Sequence, residues 1–237
     1  EARNATARLV QREYEDPTTE RLARAAEMAD QTRDSNTDWE LWQQVYVARP
    51  AVSAWRRRRN WLRDIVTRLA ANPKTDFRKL PGLEARGIRA LDEMWEAVAR
   101  IREHPSRTYE GGLVAVWIDP RVPATVRGRL GALAGGLAMN RTAVVAVPSG
   151  ETRDWLDVRA RAPGFWREVD LRILDEAVTA AGGHGSGAPG ATHWDLPRHG
   201  LDSFLQEVGR LAPCLHGKPQ GEIGGLPPRR ITITKAK

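Results

Sequence analysis

The hydrophobic and polar positions of this chain change period once along its length. Over the first hundred residues, apolar side chains return every three or four positions, the spacing of one helical face. Leu22, Ala25, Ala26 and Ala29 predict a helix from about Thr19 to Thr32, with Thr18 or Thr19 as its N-cap. The turn-rich Asp34-Ser35-Asn36-Thr37-Asp38 interrupts it. Trp39, Trp42, Gln43 and Tyr46 then predict a second helix, which Pro50 is expected to end. A third is expected from about Ser53 to Ala71, with Val52, Trp55, Leu62, Val66 and Leu69 on one face and Arg56 to Arg59 crossing the other. A fourth, from about Glu84 to Glu103, carries a stripe of Leu91, Trp95, Val98 and Ile101.

Beyond His104-Pro105-Ser106 the pattern shortens. Leu113 to Ile118 and Thr142 to Val147 are compact β-branched runs bounded by proline, as buried strands are. Trp155 to Ala160 alternates and predicts a third strand. Helices are expected over Ala124 to Met139, Val169 to Ala181 and Leu201 to Leu211, and a short strand over Ala191 to Trp194. The stretch from Gly182 to Ala191 holds too much glycine for a regular element. The tail from Pro213 is expected to be a linker before one possible strand, Ile231 to Thr234. The fold class is therefore α/β: a helical N-terminal segment followed by a small mixed α/β domain.

Composition narrows the partners. Lys plus Arg number 37 against 30 Asp plus Glu in 237 residues, for a net charge of +7 and a pI near 10.1. Most of the cations are arginine, whose planar fork pairs with phosphate at two points. A phosphate-bearing partner follows, nucleic acid before membrane, although a solvated arginine-rich surface gives the same count. No apolar run approaches the roughly 20 residues of a membrane helix. The single cysteine, Cys214, excludes an internal disulfide and fits a reducing, cytoplasmic compartment.

Five glycines fall within Gly182 to Gly190, with His184 among them. Such a loop brings backbone N–H groups close to an anion, and the imidazole adds a donor; a helix cap followed by a turn has the same composition. The G-x-G-x-x-G spelled by Gly185, Gly187 and Gly190 follows a helix rather than a strand, so it is no dinucleotide fingerprint. Neither a Walker A loop nor a Cys/His zinc spacing occurs. Trp55-Arg56-Arg57-Arg58-Arg59-Asn60-Trp61 fits either a nucleic-acid contact or a solvated helix face, with Trp55 expected in the core.

The run Asp170-Leu171, Leu174-Asp175-Glu176-Ala177, Gly182-Gly183-His184, Gly190-Ala191-Thr192 and Phe204 resembles the end of the DHH-associated domain of RecJ-like and nanoRNase-like DHH-family phosphoesterases. There a helix leads into a Gly-Gly-His signature, a strand and a helix carrying Phe. This chain has one extra residue between His184 and Gly190, and Pro189 where a small residue is usual. Leu156-Asp157-Val158-Arg159-Ala160 resembles the family strand whose Arg faces nucleic acid, with Asp157 in place of a Ser. Arg21 to Asp30 is similar to the last part of the catalytic DHH domain, which ends in a metal-ligating Asp.

The resemblance implies a DHH remnant over 1–38, a helical connector over 39–105, a DHH-associated nucleic-acid-binding domain over 106–212 and a tail over 213–237. It further implies a metal-dependent phosphodiesterase or exonuclease using Mn²⁺ or Mg²⁺. Arg159, Gly182, Gly183 and His184 would hold single-stranded nucleic acid or a short oligonucleotide, and Asp30 would be one metal ligand. Without the resemblance, Asp30 reads as a helix-end residue pointing to water; with it, the two readings stand level. The chain opens on Glu1 and contains no Asp-His-His triplet, so it is expected to be the C-terminal part of a longer enzyme. A non-catalytic scaffold of the same fold in replication or repair, and a phosphodiesterase of cyclic dinucleotides, remain open beside this.

Overall fold

The computed structural model describes residues 20–29, 38–55, 58–109, 114–117, 123–139, 141–149, 154–163 and 169–215. Four helices come first: α1 (Glu20–Ala29), α2 (Trp39–Ala54), α3 (Arg59–Ala71) and α4 (Leu83–Glu103). Asp38 caps α2 by accepting the Leu41 N–H at 3.0 Å. The helices share one apolar cluster, in which Ala25 and Met28 of α1 meet Leu41, Val45 and Ala51 of α2, Ile65 of α3, Phe77, Leu80 and Leu83. The side chain of Gln44 is buried there and satisfied: its Oε1 accepts from Arg21 and from the Phe77 N–H.

Three expectations fail here. Pro50 does not end α2 but lies buried inside it. An interior proline costs a helix about 3 kcal/mol, and the joint burial of Leu41, Val45, Pro50 and Ala51 of this helix offsets that loss. The helix expected from Ser53 to Ala71 is broken at Trp55, which closes α2, and restarts after Arg58. Consequently Val52 and Val66 are exposed and Ile65 is the buried residue of α3. On α4 the inward stripe is Leu83, Gly87, Ala90, Met94 and Val98, leaving Trp95 45% exposed. Gly87 sets this rotation. A Cβ there would lie 2.2 Å from the Val47 carbonyl oxygen, so the α2–α4 approach requires glycine at that position.

Six strands follow: β1 (Arg107–Thr108), β2 (Val114–Trp117), β3 (Ala143–Pro148), β4 (Trp155–Arg161), β5 (His184–Ala188) and β6 (Ala191–Pro197). They form one sheet in the order β1-β2-β3-β4-β6-β5. Only β2 and β3 are parallel, joined through α5 (Ala124–Arg127) and α6 (Leu130–Leu137). The helix expected over Ala124 to Met139 is thus split at Gly128-Arg129. A 3₁₀ turn at Leu171–Leu174 runs into α7 (Asp175–Ala180), and α8 (Leu201–Leu211) comes after β6.

The sheet has a fully covered face and a partly covered one. On the first, Val144, Leu156, Val158, Trp194 and Leu196 pack against Leu171, Leu174, Val178, Phe204 and Val208. Each such buried side chain stabilises the fold by about 1.5–3 kcal/mol. On the second, Ala143, Val145 and Val147 of β3 pack beneath α6 and Val98 of α4. Strand β3 is therefore buried on both sides, whereas β4 and β6 alternate.

Candidate phosphate-binding site

The open part of the second face is where the sequence-derived residues gather. Antiparallel pairing puts directly opposed residues on one side of a sheet. Asp157 opposes Asp195, which opposes His184; Arg159 opposes His193, which opposes Ser186. Two aspartates face each other across β4 and β6, a destabilising pair by itself. Cations relieve it. Arg159 Nε lies 2.8 Å from Asp157 Oδ1. His193 Nε2 lies 3.6 Å from Asp157 Oδ1 and 3.9 Å from Asp195 Oδ1, and His184 Nε2 lies 3.8 Å from Asp195 Oδ2.

The Arg159–Asp157 pair is incompletely satisfied. Arg159 Nη2 donates to Asp157 Oδ2 at 3.2 Å, yet Nε and Oδ1, though close, are buried and misaligned for a hydrogen bond. The guanidinium is held in place without its donors being used up. His184 is 70% exposed, and its ring meets the edge of Trp155 at 5.4 Å.

The glycine-rich stretch is not irregular, contrary to its composition. Residues 184–188 form β5, an edge strand hairpinned onto β6. A Cβ at Gly185 would lie 2.3 Å from the His193 carbonyl oxygen, and one at Gly187 2.3 Å from that of Ala191, so the two strands approach too closely for side chains on that side. Gly182 and Gly183 also differ from expectation. Gly182 is left-handed at φ 80° and donates to Thr179 O at 3.0 Å, while Gly183 donates to Val178 O at 2.8 Å. This is a Schellman closure of α7. Both N–H groups go to helix carbonyls, so these two glycines aim the chain toward His184 rather than cradle an anion with their donors.

Beside the face opens a cavity of about 700 Å³, lined by Ser53, Arg58, Glu93, Thr125, Asp157 and Asp195 among others. Trp55, expected in the core, lines it too. Arg56 and Arg57 lie outside the described residues, as do Asp30 and the Ile231 to Thr234 stretch. Burial raises the pKa of the Glu93 carboxyl, but hydrogen bonds from Thr125 and Arg89 more than reverse this and hold it below its ordinary value.

Sequence reasoning missed His193, Asp195, Arg129 and Arg161. The period-two spacing of His193 and Asp195 was available once β6 is run to Pro197. Arg161 reaches the first turn of α6, its Nη2 lying 3.3 Å from where a Cβ at Gly131 would stand. Arg129 donates from Nη1 to Ala90 O at 3.2 Å. Burial, then the like charge of neighbouring arginines, lowers the pKa of both guanidiniums below the ordinary arginine value. Among the described residues, no group of three or more His, Cys, Asp or Glu is placed to hold a metal ion. No described helix is long and apolar enough to cross a membrane.

No family model matches the chain, and comparison with curated proteins finds no match. Solved structures do match. The pGpG-specific phosphodiesterase PggH from Vibrio cholerae superposes on 88% of this chain and 73% of its own, with a TM-score of 0.54 and 13% identity. RecJ from Thermus thermophilus, in complex with Mn²⁺, covers 88% of this chain at a TM-score of 0.55 and 12% identity, and this chain spans only 35% of its length. A DHH domain from a member of the s1p family of ribosomal proteins covers 83% of the chain and 52% of its own, at a TM-score of 0.50 and 18% identity. The helices and mixed sheet described above are thus a RecJ-like fold, that of DHH-family proteins.

Proposed function

We propose that this chain is the substrate-gripping part of a metal-dependent phosphodiesterase that acts on single-stranded nucleic acid or short oligonucleotides. The observation that carries the proposal is Arg159, fixed by Asp157 on an open sheet face with His193 and His184 and beside a cavity of about 700 Å³. Arg159 offers donors to two phosphate oxygens. His184 adds a ring N–H from the neighbouring edge strand, and Gly182 and Gly183 set its position by closing α7. The cavity takes the sugar and base.

Mn²⁺ or Mg²⁺, when bound, would activate water and neutralise charge on the phosphate. Asp30 is the position that the family resemblance gives to such an ion. The described residues bind and orient the phosphodiester; hydrolysis is left to groups outside them.

Anisotropy with a labelled octanucleotide tests the grip. His184→Ala and Arg159→Ala are each expected to weaken binding by about 1–3 kcal/mol, the value of a hydrogen bond to a charged group. His184 is exposed, so its variant folds as the parent does. Equal affinity in all three proteins would refute the site. Binding without cleavage fits both this reading and a nucleic-acid-binding scaffold of the same fold; Mn²⁺-dependent cleavage by the protein would exclude the scaffold.

A further inference from the structure

Helix α2 carries an aromatic ladder that the site above does not use, its middle ring Trp42 packed on the edge of the helical core and its outer rings exposed. Trp39, Trp42 and Tyr46 stand at i, i+3 and i+7. The first two rings are 4.9 Å apart and 11° from parallel, the next two 5.0 Å and 25°. Trp39 is 60% exposed and Tyr46 36%. Of the buried residues of the same helix, Leu41, Gln44, Val45 and Ala51 lie on its opposite side, and Pro50 closes the ladder's side one turn beyond Tyr46. Tryptophan left in water at the end of a ring stack presents an open π-face.

The ladder points somewhere. Its line continues along α2 to Arg49 and then Ser53, which lines the cavity. Arg49 lies within electrostatic range of Arg129 and Arg161. Arg129 stands at the N-cap of α6, where no side chain caps the helix and the first turn has no acid. None of these three arginines has a carboxylate partner among the described residues. Three guanidiniums at the positive end of a helix repel one another until an anion enters. Arg161 in turn follows Arg159 on the same side of β4, roughly 6.6 Å along the strand.

We infer that Trp39, Trp42 and Tyr46, together with Arg49, Arg129 and Arg161, form a track for a single strand several nucleotides long, with bases stacked on the rings and phosphates on the guanidiniums. The inference rests on the phosphodiester-gripping role of Arg159 and extends it from the phosphate held there to the strand that runs on from it. Arginines without a carboxylate partner beside flat, exposed rings favour nucleic acid over a protein helix as the occupant.

The test compares a dinucleotide with a dodecanucleotide on the 237-residue chain. Trp39→Ala is expected to weaken the dodecamer roughly five- to hundredfold, the range of base–aromatic stacking, and to leave the dinucleotide unchanged. Trp39→Phe retains most of the affinity. Arg49→Ala lowers the slope of log K against log salt by about 0.7, as loss of one phosphate contact on a single strand does. Unchanged dodecamer affinity in Trp39→Ala with Arg159→Ala still weakening both ligands would overturn the track and spare the grip. Loss of self-association in Trp39→Ala without an effect on the strand would make the ladder a protein contact and also overturn it. If the parent binds neither ligand, the grip itself fails and the track fails with it.

Discussion

Gly185→Ala separates the edge hairpin from the body of the sheet. Gly185 has φ 137°, a region that side-chain-bearing residues rarely adopt at a cost of about 1–3 kcal/mol. The added Cβ would also lie 2.3 Å from the His193 carbonyl oxygen and 2.7 Å from the Trp194 Cα. Both are backbone atoms of β6, so no rotamer change relieves the contact. Against this stand the backbone hydrogen bonds of a five-residue pairing, each worth about 0.5–1.5 kcal/mol net. All five residues of β5 are exposed, and none belongs to either core cluster. The two sides are comparable, so β5 opens while the core persists. Hydrogen exchange should show residues 184–188 losing protection while residues 156–160 keep theirs. Oligonucleotide affinity should fall to that of His184→Ala. Gly190→Ala is the control, because a Cβ there meets nothing within 4 Å. Exchange in β5 equal to that of the parent would refute the reasoning.

Two further outcomes concern the scaffold. Trp194 is fully buried and donates from Nε1 to Asp175 at 2.6 Å; Trp194→Phe removes a hydrogen bond to a charged group and part of a ring, and should cost about 2–4 kcal/mol in urea denaturation, a loss below about 1 kcal/mol counting against the assignment. The depressed pKa of Glu93 in the folded chain means that its stabilisation is complete above the ordinary value of 4.5 and is lost as pH falls through the lowered one. Glu93→Gln should therefore flatten the acid limb of stability against pH, and an unchanged limb would show that Thr125 and Arg89 do not hold this carboxylate.

Strands β3 and β4 and helix α8 are legible in the sequence, because each is bounded by its own punctuation and buries a face that its pattern announces; β2 is legible as a short β-branched run. Arg159 is singled out by the resemblance to a family strand rather than by the alternation of β4 itself. Strand β5 is not legible, since its glycines answer to the backbone of β6, which local composition does not report. The rotation of α4 is hidden for a similar reason: Trp95 looks like core by its type, but Gly87 has to face Val47, far away in sequence. Pro50 misleads because a helix end was inferred from a local penalty that burial overrides. The three-arginine cluster joins α2, the start of α6 and the end of β4, so no window of sequence contains it.

The alternation in β4 and β6 has a consequence for folding fidelity. A slip of one residue between those strands would turn Asp157, Arg159, His193 and Asp195 into the apolar layer and expose Leu156, Val158, Trp194 and Leu196. Misregistered pairings are thereby penalised by the polar side chains of the open face, of which Asp157 and Asp195 line the cavity. These positions can exchange one polar group for another and still enforce this alignment, so the chemistry of the open face can change while the strand pairing stays.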